Sequence, residues 1–141
     1  MRHGIAEDFD PNRHRDDSAR ELTSEGRDKL KKQAQGLASL ELSVDLIVTS
    51  PYARARATAD IVRAVAFKSV ELIESETLVP HFSPKGTLQA LSKLKISNGV
   101  LCVGHEPHAS ALAATVLGDE RLQIEMKKGG LIGLEVDRFE P

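Results

Sequence analysis

Three short apolar runs, at residues 44–49, 70–73 and 99–103, constrain the fold of this chain more than any other feature. Each is strand-length and rich in β-branched residues. The first and third read as buried strands of a parallel sheet, and the second, which carries Glu71, as a further short strand. Parallel neighbours need a crossover long enough to hold a helix, and the intervening stretches supply one. Residues 53–66 are Ala-rich and helical, with Ala57, Ile61, Ala64 and Val65 as the expected buried face. Ser83 and Pro84 have N-cap and N1 chemistry for a helix through about residue 94. Ahead of the first strand, Thr23 suits an N-cap and Glu25 the positive first turn, and Leu30, Ala34, Leu37 and Ala38 fall on one face. Residues 107–117 read as a helix closed by Gly118. Residues 122–126 and 131–136 read as a terminal hairpin around Lys127-Lys128-Gly129-Gly130. The alternation predicts a three-layer α/β/α sandwich with a mostly parallel central sheet, residues 1–141 forming a single domain.

Charge and cysteine content narrow the function classes. A net charge of -2 gives no global field for nucleic acid or an acidic membrane, so any attraction for an anion must be local. The single cysteine, Cys102, rules out an intrachain disulfide and lies in an apolar run, where a buried inert thiol is expected. No stretch has the apolar length of a membrane span and no signal peptide is visible. A cytoplasmic location is expected.

Three polar stations stand at the predicted strand edges: Arg2-His3-Gly4, residues 50–58 (Ser-Pro-Tyr-Ala-Arg-Ala-Arg-Ala-Thr), and Gly104-His105-Glu106-Pro107. In open α/β sheets, ligands bind beyond the carboxyl ends of the strands. Two histidines and two arginines there suit one task, holding a phosphoryl group while an imidazole nitrogen attacks it. Spacing alone does not force the stations together. The other histidines, His14, His81 and His108, read as satisfied or exposed, although His108 follows Pro107 closely enough to reach a pocket. Arg56 and Arg63 read as residues of a solvated helix face, Thr58 and Ser50 as structural, with Ser50 placed to cap the helix bearing Arg54. Lys127 and Lys128 read as turn residues at a site rim. No His-x-x-x-His or Glu-paired spacing supports a metal site. Residues 5–21, polar and rich in Asp and Arg, read as a long loop over the site.

At these stations the chain resembles the histidine phosphatase superfamily, with its phosphoglycerate mutase-like fold. The opening Arg-His-Gly-Ile-Ala-Glu-Asp is most similar to the SixA-type phosphohistidine phosphatase branch. The resemblance implies that His3 is the nucleophile of a cofactor-independent hydrolase and becomes phosphorylated. It implies that Arg2 and Arg54 clamp the phosphoryl oxygens, that His105 donates to them, and that Gly4 and Glu106 help to bind substrate. Gly4 and Gly104 would give the backbone room to approach the ligand. It also implies an apolar strand ahead of the triplet; only Met1 precedes it, so that first strand is expected to be missing. The expected partner is a phosphorylated protein, such as a histidine phosphotransfer domain of a signalling relay, acted on by a monomer. Alternatives are a small-molecule sugar or nucleoside phosphate monoesterase of the same superfamily, and a phosphate-binding module without turnover.

One departure bears on substrate. The family's mutases and many of its phosphatases carry a Glu or Asp general acid after the Thr of the second station. The matching stretch, residues 77–82, has no carboxylate, and Glu7, Asp8 and Glu76 are the alternatives. An alkoxide leaving group is about as basic as hydroxide, whose parent water has a pKa of about 15.7, and needs that acid. Imidazole, whose conjugate acid has a pKa of about 6.5, does not. The short stretch between Thr58 and His105 leaves little room for a cap, so an open site is expected, one able to admit a histidine on another protein's surface.

Overall fold

The computed structural model describes residues 1–136. Helix α1 (Ser24–Ala38) leads to strand β1 (Leu46–Thr49), α2 (Ala53–Ala66), β2 (Glu71–Glu74), α3 (Pro84–Leu91), β3 (Val100–Val103) and α4 (His108–Val116). The strands form one parallel sheet in the order β2-β1-β3, with Leu46 level with Glu71 on one side and Val100 on the other. Successive β1 side chains point to opposite faces. Ile47 enters a core with Ala34 and Leu37 of α1 and Ala55, Ala59 and Val62 of α2. Leu46 and Val48 enter a second core with Leu91 of α3, and Leu112 of α4 packs against it. The two cores on opposite faces make the predicted α/β/α sandwich, and all four β1 residues are buried.

The caps explain where the helices begin. Thr23 accepts from the Gly26 amide and Ser83 from the Gly86 amide, each satisfying a donor that the first helical turn leaves free. Gly118 follows α4 at φ 77°, a conformation that Gly adopts without strain. α3 stops at Leu91, short of the expected residue 94, and Ala38 at the end of α1 is exposed.

Two expectations are corrected. The buried face of α2 is Arg54, Ala55, Thr58, Ala59 and Val62, whereas Ala64 is exposed and Ala57, Ile61 and Val65 are half-buried. Alanine lines this helix on all sides, so apolar periodicity could not phase it. The terminal hairpin is absent among the described residues: neither 122–126 nor 131–136 is a strand. The turn between them bonds elsewhere. The Arg2 amide donates to the Gly130 carbonyl (2.9 Å), and the Gly129 amide to the His3 carbonyl (2.9 Å). On its other side Arg2 bridges in parallel to Gly104, with His3 N–H donating to the Gly104 carbonyl (2.9 Å). The amino-terminal triplet therefore lies beside the end of β3, and backbone bonds stitch the first and third polar stations together.

Candidate active site

The end of β1, the first turn of α2 and the end of β3 converge on one cluster. His3 and His105 are buried with ring centroids 5.0 Å apart, and Arg54 lies between the loop and His3 with its side chain 3% exposed. Arg54 faces inward because the first turn of α2 is anchored from beneath. Thr58 is fully buried; its hydroxyl donates to the Arg54 carbonyl (2.7 Å) and accepts from the Gly4 amide (3.1 Å). Thr58 thereby ties the helix carrying Arg54 to the triplet carrying His3.

Two hydrogen bonds fix the tautomer of His3. Its Nδ1 lies 2.7 Å from the Gly4 carbonyl, which can only accept, so Nδ1 carries the proton. Its Nε2 lies 3.2 Å from Nε of Arg54, which can only donate, so Nε2 presents its lone pair. Electrostatics agree. Burial first, then the positive charges of Arg54 and Arg2, outweigh the Gly4 carbonyl and push the His3 pKa down to about 4. His105 is pushed down to about 3 by burial, then by Arg54 and His3. Both rings are neutral at pH 7.

His105 Nε2 pairs with the Ser50 hydroxyl at 2.9 Å. Ser50 is therefore a partner of His105 as well as an acceptor for the Tyr52 amide (3.3 Å) at the start of α2, and the N-cap residue Tyr52 makes no side-chain cap. The Tyr52 ring stacks edge-on against His105 and beneath the Arg54 guanidinium. Two nitrogens of the cluster, His105 Nδ1 and Arg2 Nε, are buried without a partner. Unpaired buried polar atoms are uncommon and costly. Arg2 uses one terminal nitrogen on the Met126 carbonyl (2.7 Å).

Other candidates sit differently. Both Glu106 oxygens turn to Ser110 in α4, its amide (3.2 Å) and its hydroxyl (2.5 Å), rather than to the cluster. A Cβ on Gly4 would come within 2.5 Å of the Leu30 side chain, and one on Gly104 within 3.0 Å of the Leu78 carbonyl, so these glycines make room for the core rather than a ligand. His108 is buried, its Nε2 on the Thr87 hydroxyl (2.9 Å), tying α4 to α3. His14 is held by Glu7 and the Asp10 amide, and His81 is exposed. Arg56 bonds Asp60 and Glu74 on the surface, whereas Arg63 reaches the Val70 carbonyl (2.6 Å). Asp8 and Glu76 are exposed, and the His14 bond above all holds Glu7 below the usual carboxylate range. No group of three His, Cys, Asp or Glu among the described residues is placed to hold a metal.

Two residues of the cluster escaped the sequence reading. Asp17, on the short 3-10 turn Asp17–Ala19, accepts from Arg54 through its carboxylate (2.8 Å) and its carbonyl (2.6 Å), and Arg20 bonds the other carboxylate oxygen (2.8 Å). The acid-and-base run at residues 16–20, inside a loop expected to cover the site, was the available signal.

The neutral histidines limit stability in acid. An unfolded chain protonates them near the ordinary pKa of about 6.5, whereas the folded values are about 4 and about 3. Between those limits the unfolded state binds more protons, so stability is full above pH 6.5 and falls as pH drops. At pH 4.5 the loss is on the order of 2 kcal/mol per histidine. Urea titrations at pH 7 and 4.5 should show it, and His105→Gln should remove the His105 share, leaving those of His3 and of His108, which burial also holds below its ordinary value. An unchanged loss in the variant would place the acid sensitivity elsewhere.

Residues 1–79 match the histidine phosphatase superfamily (branch 1). An uncharacterized protein of Picosynechococcus sp. is 34% identical over 141 residues, spanning 95% of this chain and 81% of that protein. A protein histidine phosphatase SixA solved with tungstate superposes with a TM-score of 0.73 at 26% identity, over 82% of this chain and 73% of that one. A candidate phosphohistidine phosphatase SixA from Agrobacterium tumefaciens gives a TM-score of 0.73 at 23% identity, over 85% and 75% of the two chains. With the family match covering more than half its length, the chain belongs to the histidine phosphatase superfamily.

Proposed function

We propose that this phosphatase removes a phosphoryl group from a histidine of another protein, with His3 as nucleophile and no cofactor. The observation that carries the proposal is the His3 ring, held with Nδ1 protonated and the Nε2 lone pair toward Arg54. In the first step Nε2 forms a bond to phosphorus as the substrate's P–N bond breaks, and the departing imidazole takes a proton from solvent. In the second, water attacks phosphorus and the P–Nε2 bond breaks. Because Nδ1 keeps its proton on the Gly4 carbonyl, His3 leaves as neutral imidazole rather than as an anion. Arg54 and Arg2 would hold the phosphoryl oxygens, since guanidinium forks match their geometry. The unpartnered Nδ1 of His105 would donate to an oxygen as its charge grows.

Choice of substrate rests on the missing acid. Glu7 and Asp17 are held ionised by their partners, and both Glu106 oxygens are on Ser110. Such a site suits a leaving group that needs little protonation. The protein histidine phosphatase solved with tungstate, a tetrahedral oxyanion, supports the same reading.

The test compares rates across leaving groups. P–N substrates should turn over fastest, aryl phosphates more slowly and alkyl phosphates slowest, and the order should persist in Glu76→Gln. If the parent hydrolyses alkyl esters well and Glu76→Gln destroys that activity, a general acid is present and the small-molecule monoesterase reading replaces this one.

A further inference from the structure

Arg54, the residue that would grip the phosphoryl group under the function proposed above, is already occupied. Each of its three nitrogens donates to an acceptor of the chain itself: Nε to His3 Nε2 (3.2 Å), one terminal nitrogen to the Asp17 carbonyl (2.6 Å), the other to the Asp17 carboxylate (2.8 Å). The second carboxylate oxygen accepts from Arg20 (2.8 Å), so Asp17 bridges two guanidinium groups. Two oxygens shared between guanidinium groups is also how a phosphoryl group would sit.

We infer that Asp17 occupies the phosphoryl seat of Arg54 in the ligand-free protein and must be displaced for substrate to bind, which makes it a specificity-determining residue that favours doubly charged phosphoryl groups.

The two partners are unequally held. The Arg54 side chain is 3% exposed and fixed on α2, whereas the Asp17 side chain is 53% exposed and rides on a three-residue turn. Displacement can therefore move Asp17 into water while Arg54 stays. Asp17 contributes nothing to either apolar core, so its release leaves the sandwich intact. Chain attachment keeps the carboxylate at an effective concentration in the millimolar range or above, so a free anion competes with it at a disadvantage. A carboxylate or other singly charged anion offers Arg54 and Arg20 no more than Asp17 already does. A phosphoryl group, carrying about -1.5 to -2, offers more.

Calorimetric binding of inorganic phosphate to the full chain tests this, comparing the parent with Asp17→Asn, Asp17→Ala and, as a surface control, Asp60→Asn. A seat covered about nine-tenths of the time weakens apparent affinity about tenfold. Both Asp17 variants should therefore bind phosphate about tenfold more tightly, with Asp60→Asn within twofold of the parent. Acetate should compete with phosphate in Asp17→Ala, where it restores the missing carboxylate, and should not compete in the parent. Equal or weaker phosphate binding in both Asp17 variants overturns the inference and makes Asp17 a residue that positions Arg54 for its ligand. Tighter phosphate binding by the Asp17 variants, with no phosphatase turnover in the parent, would sink the proposed function and leave the latch standing. Binding by none of the proteins would sink both.

Discussion

His3→Ala should fold, bind inorganic phosphate and show no measurable turnover. In the parent, a phosphoramidate reaction quenched in base should leave phosphate on His3 and on no other residue. The expected loss is on the order of 10⁶, the scale seen when a nucleophile is removed from a cooperating set. Of the two site histidines, His3 is the one whose tautomer is fixed from both sides, by a carbonyl at Nδ1 and a guanidinium at Nε2. His105 has Ser50 at Nε2 and no partner at Nδ1, which suits a donor better than a nucleophile. A base quench is required because acid protonates the ring nitrogens and speeds loss of phosphate. Urea unfolding of the variant near the parent's midpoint would show that the lost activity is chemical. Label on His105 or on a serine would reverse the assigned roles.

The sheet and its crossovers were legible because strand burial and helix capping leave local marks. The run at residues 44–49 has no polar alternation, and β1 is covered on both faces. Thr23 and Ser83 stand three residues before the glycine amides they cap. Partner choice over longer range left no such mark. Ser50 accepts from the Tyr52 amide at the start of α2, as its position suggests, but the approach of β3 also gives it His105, which no local pattern announced. Gly4 looks like a ligand-side glycine until α1 is packed against it and Leu30 takes the space. The α2 face was misread because alanine cannot report which side is buried, and the side is set by two polar residues. Arg54 and Thr58 turn inward toward the triplet, and the helix follows them. The hairpin failed for a related reason. Residues 129–130 had a better partner in Arg2 and His3, more than a hundred residues away along the chain.

Arg54→Ala should lower kcat/KM by about 10² to 10³, the cost of removing one well-placed charged donor from a transition state, while Arg56→Ala should stay within about threefold, the scale of a surface ion pair. The contrast follows from placement. Both arginines lie in the first turn of α2, two residues apart, and an α-helix turns them to different sides. Arg54 is buried beside His3 and over the Tyr52 ring, whereas Arg56 is held by Asp60 and Glu74 at the surface. Arg54→Lys separates charge from shape. A lysine keeps the positive charge, but its single ammonium cannot match the planar fork that reaches His3, the Asp17 carbonyl and one Asp17 carboxylate oxygen, so most of the loss should remain. Arg54→Ala also removes the donor to His3 Nε2, so the surviving rate should depend less on phosphoryl charge than the parent rate does. Phosphate binding should fall together with kcat/KM, because under the proposed function one guanidinium would serve both the ground state and the transition state. Equal losses at Arg54 and Arg56 would mean that the positive charge acts from a distance rather than through contact, and the clamp would have to be abandoned.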